Sequence, residues 1–333
     1  MHAAELSADL TFETHAYPLP PAVQAELVAL LRTEWTRTDY DWIEAMHGDY
    51  GAALVIASAL VRCRGAAVAT ATVHFASDRP EVAVLGGVVT HPAHRRRGLA
   101  GQAIERALAL AEDAGCRVCL LGTTMRPRNV YHEHGFAWHN GAVMRRAPGN
   151  DTFEQTYFAA DQSVEIRKAD WGDLPGLSLL LAQPLALGCL DYLRGLMSGN
   201  VSPLERCLSN FPVLWYATSA QDGAFSMLAE PVTGRIFGFG TVTRAPGPAR
   251  RHTATVDLAV HENYSAHMEA LLAHLLDGCR KLGVQQAHAF VADGDRVKLD
   301  CLREQGFRDT ARLPAALRLS GGFCDAVMLG KSL

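Results

Sequence analysis

The chain has 333 residues, 49% of them hydrophobic and 20% charged, with 31 Lys and Arg against 35 Asp and Glu for a formal net charge of −4. That balance excludes a disordered chain, which needs low hydrophobicity and high charge, and it leaves no global positive field to gather nucleic acid or an anionic membrane. Roughly 100–200 residues per domain makes two domains the expectation. The opening residues MHAAELSADL carry acids where a secretion signal has a basic start and an apolar run, and no stretch reaches the ~18 apolar residues of a membrane span, so a cytoplasmic protein is expected. The 8 cysteines are scattered and read as reduced thiols. Cys116 and Cys119 form a C-x-x-C with no second Cys or His pair at zinc-ligand spacing, so no metal is expected.

In chain order, residues 10–15 read as a strand, and 20–35 place Val23, Leu27, Leu30 and Leu31 at helical spacing. A second helix is expected over 39–47. Residues 54–60, 66–75 and 82–89 are β-rich runs separated by turn signals at Arg64-Gly65 and Asp78-Arg79-Pro80, a three-strand meander. A helix over 98–114 stops at Gly115, followed by a buried strand over 118–121, a short helix near 128–134 and a strand over 136–145. The breaker cluster Ala147-Pro148-Gly149-Asn150-Asp151 marks a boundary, giving domains over 1–148 and 163–333 with a linker over 149–162. The hydrophobic pattern then restarts: strand 164–167, helix 174–181, strands 213–217, 236–242 and 255–260, a helix ending at Gly283, strand 286–291, helix 296–304 and strand 326–329. The two halves align as an internal repeat, with Val89-Thr90-His91 against Ala259-Val260-His261, Gly115 against Gly283 and Gly135-Phe136 against Gly306-Phe307.

The segment Thr90-His91-Pro92-Ala93-His94-Arg95-Arg96-Arg97-Gly98-Leu99-Ala100 joins an apolar strand to an amphipathic helix. A turn entering a helix points unpaired backbone N–H groups one way, and the helix dipole adds positive potential there. Gly98 lets the backbone approach closely, and three successive arginines suit a pyrophosphate better than a single carboxylate. Downstream lies Asn129-Val130-Tyr131-His132-Glu133-His134-Gly135-Phe136.

Together these two segments resemble the GNAT superfamily of N-acetyltransferases, whose signatures are R/Q-x-x-G-x-G/A after a strand and Y-x-x-x-G-F on a later helix. The resemblance implies two tandem α/β (α+β) domains, each with a mixed, mostly antiparallel central sheet flanked by helices. It implies that Arg95, Arg96, Arg97, Gly98, Leu99, Ala100 and Gly101 hold the pyrophosphate of acetyl-CoA or another acyl-CoA. Backbone groups of Val88, Val89 and Thr90 would bind the pantetheine like an added strand, with Asn129 helping to hold it or the helix start. Tyr131 would protonate the departing thiolate, a task that suits a phenol with an ordinary pKa near 10.

An attacking amine must first lose a proton. Many family members place a glutamate about eleven residues before the R/Q of the loop, but here that residue is Val84. Glu81, near the start of the same strand, and His74, on the preceding one, are the candidate bases. The acceptor is expected near Trp35 to Glu44, where acidic and aromatic residues alternate.

In the second copy the loop aligns with Ser265-Ala266-His267-Met268-Glu269-Ala270, and Leu302 replaces the tyrosine. Such a copy should neither bind CoA in the family's way nor protonate a thiolate, leaving it a structural half or a wall of the acceptor pocket. The expected function is transfer of a short acyl group from acyl-CoA to a primary amine of a small molecule, by a monomer or homodimer. A phosphopantetheine donor on an acyl carrier protein and a non-catalytic acyl-CoA-binding protein are the alternatives.

Overall fold

A computed structural model describes residues 9–35, 50–123, 130–149, 151–184, 189–190, 192–193, 196–197, 207–220, 222–319 and 322–333. The chain divides into two compact units, Met1–Trp138 with Met144–Phe153, and His139–Val143 with Glu154–Leu333.

The first unit runs β1 (Leu10–Ala16), α1 (Pro21–Leu31), β2 (Leu54–Cys63), β3 (Ala66–Ala76), β4 (Val82–Thr90), α2 (Leu99–Asp113), β5 (Val118–Gly122), α3 (Val130–Glu133), β6 (Ala137–Asn140) and β7 (Val143–Arg146). Its 7-stranded sheet has the order β1-β2-β3-β4-β5-β7-β6. The meander β1 to β4 is antiparallel, and β5 is parallel to β4 because α2 carries the chain across. Arg64 and Gly65 both take positive φ in the two-residue turn between β2 and β3, as the twist of a hairpin demands.

The β3 side chains alternate between two buried faces. Ala69, Ala71, Val73 and Phe75 join the core cluster with Ala103, Ile104, Ala107, Leu108 and Ala111 of α2, whose small residues let helix and sheet approach. On the other face Thr70, Thr72 and His74 are buried as well. There the Tyr17 and Ser58 hydroxyls lie 2.8 Å apart and the Ser58 and Thr72 hydroxyls 2.7 Å apart, so much of this polar row satisfies itself. Leu27, Leu30 and Leu31 of α1 pack with Leu60 and Val89 in a separate cluster.

After a short helix α4 (Phe153–Tyr157), the second unit runs β8 (Glu165–Lys168), α5 (Leu174–Ala182), β9 (Cys189–Leu190), β10 (Leu196–Met197), α6 (Cys207–Ala220), β11 (Ala224–Ala229), β12 (Ile236–Arg244), β13 (Thr253–Val260), α7 (Met268–Lys281), β14 (Gln286–Ala292), α8 (Arg296–Glu304), β15 (Arg308–Leu319) and β16 (Gly322–Ser332). Its 7-stranded sheet has the order β15-β16-β14-β13-β12-β11-β8, the first sheet repeated strand for strand, with β9 and β10 as a small additional pair. Here too the pair joined through the long crossover helix, β13 and β14, is parallel. Both crossover helices end alike: Gly115 and Gly283 take φ of 104° and 71°, and the next amide bonds back to Ala111 and Cys279 respectively.

The structure corrects several sequence expectations. Residues 213–217, read as a strand, lie inside α6, where Phe211, Leu214 and Thr218 are buried at helical spacing. The strand of that region is β11, and the long β15 had no counterpart in the sequence reading. The single strand expected over 136–145 is a hairpin, β6 and β7, turned at Gly141 with φ of 54°. The helix expected over 39–47 lies outside the described residues.

Candidate active site

The parallel pair of the first unit opens into a wedge. Val82, Ala83 and Val84 of β4 pair with Val118, Cys119 and Leu120 of β5, and beyond that fork β4 continues to Thr90 without a β5 partner. On its other side β4 stays joined to β3, but with a register shift between Thr70 and Thr72, where Gly87 takes φ of 58°. Such a bulge adds twist and turns the strand away from its neighbour. Among the described residues the result is an unpaired peptide edge that a strand-like ligand can complete. The His91 amide bonds to the Val68 carbonyl on the β3 side at 2.8 Å. Peptide groups alternate along a strand, so Val89 also faces β3, while Val88 and Thr90 face the wedge.

The loop after β4 begins with a cap: Nδ1 of His91 accepts from the Ala93 amide at 3.3 Å. Arg96 and Gly98 then take positive φ, 61° and 72°. Among the described residues the amides from Arg96 to Gly101 donate to no backbone acceptor, since α2 starts at Leu99 and the first bond into the helix is from Gln102 to Gly98. Left-handed residues alternating with ordinary ones at a helix N-terminus make a concave nest of amides suited to an anion. Gly101 also matters for space: a Cβ there would lie 3.0 Å from Nε2 of His134. Thr90 Oγ1 and His94 Nδ1 are buried with no hydrogen-bond partner among the described residues, so polar atoms beside the loop are still unsatisfied.

The three arginines are not equivalent. Arg95 turns back on the fold, its Nε donating to the Thr90 carbonyl at 3.2 Å and its Nη2 to Glu34 at 2.6 Å. Arg96 and Arg97 are exposed and make no ion pair among the described residues. Thr90 therefore offers the wedge its amide, while its carbonyl is already taken.

Tyr131 of α3 packs on the core cluster that contains Leu85 and Leu121, the residues just past the fork. Its ring meets Phe136 edge-on at 6.2 Å. Burial pushes the phenol up to about 12, so it holds its proton throughout the neutral range. Asn129 lies outside the described residues, as does the acceptor segment after Trp35.

The candidate bases differ in placement. His74 is the β3 residue paired with Val84, the position at which the resemblance expects a glutamate, and its Nδ1 lies 3.4 Å from the Val84 carbonyl. It is 5% exposed, and burial pulls its pKa down to about 4. Glu81 stands at the closed end of the wedge, 3.5 Å from Nη1 of Arg117, and its carbonyl accepts the Arg117 amide. Its side chain is tied on the far side of the fork from the loop. The sequence leaves open the cross-strand pairing that sets His74 at the fork, because it depends on where the connection after Ala76 lets β4 begin to pair.

Burial pushes the Cys116 thiol up to about 12 and the Cys119 thiol up as well, leaving both as inert packing groups. Among the described residues no cluster of His, Cys, Asp or Glu could hold a metal ion, and no helix is long and apolar enough to cross a membrane.

Residues 22–136 match the model of the Acetyltransferase (GNAT) family. The first unit carries a GNAT domain. Among solved structures the chain is similar to a ribosomal-protein-alanine N-acetyltransferase from Brucella melitensis, at 20% identity and a TM-score of 0.42 over 51% of this chain and 99% of that one. It is also similar to a GNAT phosphinothricin acetyltransferase from Sinorhizobium meliloti in complex with AcCoA, at 15% identity and a TM-score of 0.43 over 51% and 88%. A third is the ribosomal-protein-S18-alanine N-acetyltransferase from Escherichia coli, at 17% identity and a TM-score of 0.39 over 51% and 94%. Among curated proteins none matches the chain. The GNAT match spans one unit, and the second unit repeats the strand order of the first.

Proposed function

We propose that the first unit is an acyl-CoA-dependent N-acyltransferase that moves an acetyl or other short acyl group to a primary amine of a small molecule, within a ternary complex. The observation that carries this reading is the wedge whose open β4 edge leads to the nest of unbonded amides at Arg96 to Gly101. The nest holds the pyrophosphate, with Arg96 and Arg97 adding charge, and the peptide groups of Val88 and Thr90 hold the pantetheine along the wedge. The neutral amine nitrogen bonds to the thioester carbon, the C–S bond then breaks, the nitrogen sheds its remaining extra proton to solvent, and Tyr131 gives its own proton to the leaving sulfur. An amide N–H of β4 stabilises the oxyanion that forms between bond making and bond breaking. His74, beside the fork, takes the first proton from the ammonium through water, and a pKa near 4 makes it a weak base that favours slow turnover at neutral pH. The second unit then takes no part in binding acyl-CoA.

Val84 in place of a carboxylate is the one feature that favours a non-catalytic acyl-CoA-binding protein instead. One comparison separates the two. Acetyl transfer across an amine panel should fall roughly 10²–10⁴-fold in Tyr131→Phe with acetyl-CoA affinity retained. If wild type and variant give equal rates, the catalytic reading fails.

A further inference from the structure

The second unit holds a cleft of about 600 Å³ between the end of α6, the start of β11 and the last turns of α7. Small-molecule pockets span roughly 300–1,000 Å³. One wall is aromatic and fixed: Trp215 stacks on Phe211 at 5.8 Å and lies 5.1 Å from Trp171. The rim at Asp222-Gly223 is equally constrained, because a Cβ on Gly223 would sit 2.1 Å from the Val242 carbonyl oxygen. Gly278 is different. It lies in the interior of α7, where glycine is disfavoured, yet a Cβ there would meet nothing within 4 Å. Packing does not require this glycine; its missing side chain keeps the cleft open.

Lys168 and Lys281 match Asp222 and Asp277 in number along the lining, and Arg251, outside it, leaves one positive charge over. Asp277 is paired with Lys281 at 2.6 Å and Asp222 with Arg251 at 2.8 Å, so both acids are neutralised. Lys168 also lines the cleft and makes no ion pair among the described residues. Deeper in, the Ser226 hydroxyl, 3% exposed, lies 3.2 Å from Nε2 of His274. A positive group without an acidic partner, a polar pair beneath it and a flat aromatic wall fit one kind of ligand.

We infer that this cleft binds a small carboxylate with a flat apolar body, the body against Trp215 and the carboxylate toward Lys168. The site is independent of the acyltransferase reading of the first unit.

Titrating the full chain with benzoate, benzamide and benzylamine by ligand-observed NMR tests it. Benzoate should bind with a dissociation constant on the order of 1 mM, and benzylamine at least about tenfold more weakly. Lys168→Gln should weaken benzoate several-fold and leave benzamide unchanged. Gly278→Leu should abolish binding of all three while the melting temperature holds or rises, since leucine is the better helix former. Benzoate no tighter than benzylamine would overturn the assigned charge, and unchanged binding in Gly278→Leu would overturn the site.

Discussion

The two units build the same fork and fill it differently. In the first, β4 and β5 part after Val84 and Leu120; in the second, β13 and β14 part after Thr255 and His288. Both strands then end in a histidine that caps the next turn, Nδ1 of His91 accepting from Ala93 and Nδ1 of His261 from Asn263, each at 3.3 Å. There the likeness stops. Gly98 takes φ of 72° and starts a helix whose first amides are unbonded, whereas Met268 takes φ of −60° and continues a 3-10 turn straight into α7. No residue from His261 to Met268 has positive φ, and Tyr264 is buried in that turn, stacked on Phe237 at 3.9 Å. Past the second fork, Asp257 of β13 meets Nζ of Lys298 of α8 at 2.9 Å, and β9 lies against both β13 and β14. A split parallel pair must have its backbone and its gap satisfied by something. The second unit uses its own side chains and a short strand; in the first no described strand does so, and the proposed acyl donor would take that place.

The largest expected effect tests what fills the second fork. Lys298 is 1% exposed, so Lys298→Met takes the ammonium away from the buried Asp257 carboxylate and should cost about 3–5 kcal/mol of stability in denaturant unfolding. Lys298→Met with Asp257→Leu should recover most of that, because an apolar pair of similar volume replaces an ion pair at little net cost. If the single variant unfolds no more easily than wild type, the pair does not hold the gap shut. Neither variant should gain acetyl-CoA binding, since the turn after β13 has no nest to offer.

The next test asks whether backbone shape alone distinguishes the loops. Gly98→Val forces a β-branched residue into the left-handed region, where strain is roughly 1–3 kcal/mol. Acetyl-CoA affinity measured by calorimetry should fall about ten- to a hundredfold, and wild type should bind one equivalent per chain. Two equivalents would mean that the second fork is open after all.

The forks also differ in their flanking strand, with His74 opposite Val84 in one and Thr243 opposite Thr255 in the other. Burial holds His74 at about 4, below the ordinary value of 6.5 in the unfolded chain, so between those values the unfolded state binds the extra proton. Stability from this site is complete above pH 6.5 and is lost as pH falls toward 4, the loss reaching about 2 kcal/mol at pH 5. His74→Leu should flatten the difference in unfolding free energy between pH 7 and pH 5 by about that much. An unchanged pH dependence would place the imidazole in water rather than in the sheet.

The two forks were not equally legible in the sequence. The first loop could be read because left-handed backbone favours glycine, which Gly98 supplies there as Gly115 and Gly283 do at the ends of the crossover helices. The meander could be read because Arg64-Gly65 punctuates alternating runs. By contrast, the run from Val213 to Ala217 is too short and apolar to declare its period, and only the burial of Phe211, Leu214 and Thr218 shows that it is helical. His74 reaches the fork through the register that runs unbroken from Phe75 and Ala83 at the β3–β4 connection, and Lys298 looks like any surface lysine on an amphipathic helix. Side-chain partners chosen by tertiary register leave no local trace.

The smallest effect concerns Arg95, the residue that most resembles a phosphate ligand in sequence. Its guanidinium is engaged by Glu34 and the Thr90 carbonyl, so its role in the wedge is that of a strut between β4, the loop and the end of α1. The pair with Glu34 is half-exposed, and such pairs contribute roughly 0.2–1 kcal/mol. Arg95→Ala should therefore lower acetyl-CoA affinity only about two- to fivefold, through loss of order at Thr90, and Glu34→Gln should reproduce part of that loss without touching the ligand. Arg96→Ala with Arg97→Ala should cost more than Arg95→Ala and show the steeper dependence on salt, because those two charges face solvent without an ion-pair partner among the described residues. The reverse ranking would mean that Arg95 leaves Glu34 when the ligand arrives, and that the first fork closes on its substrate with the one arginine that the free chain holds back.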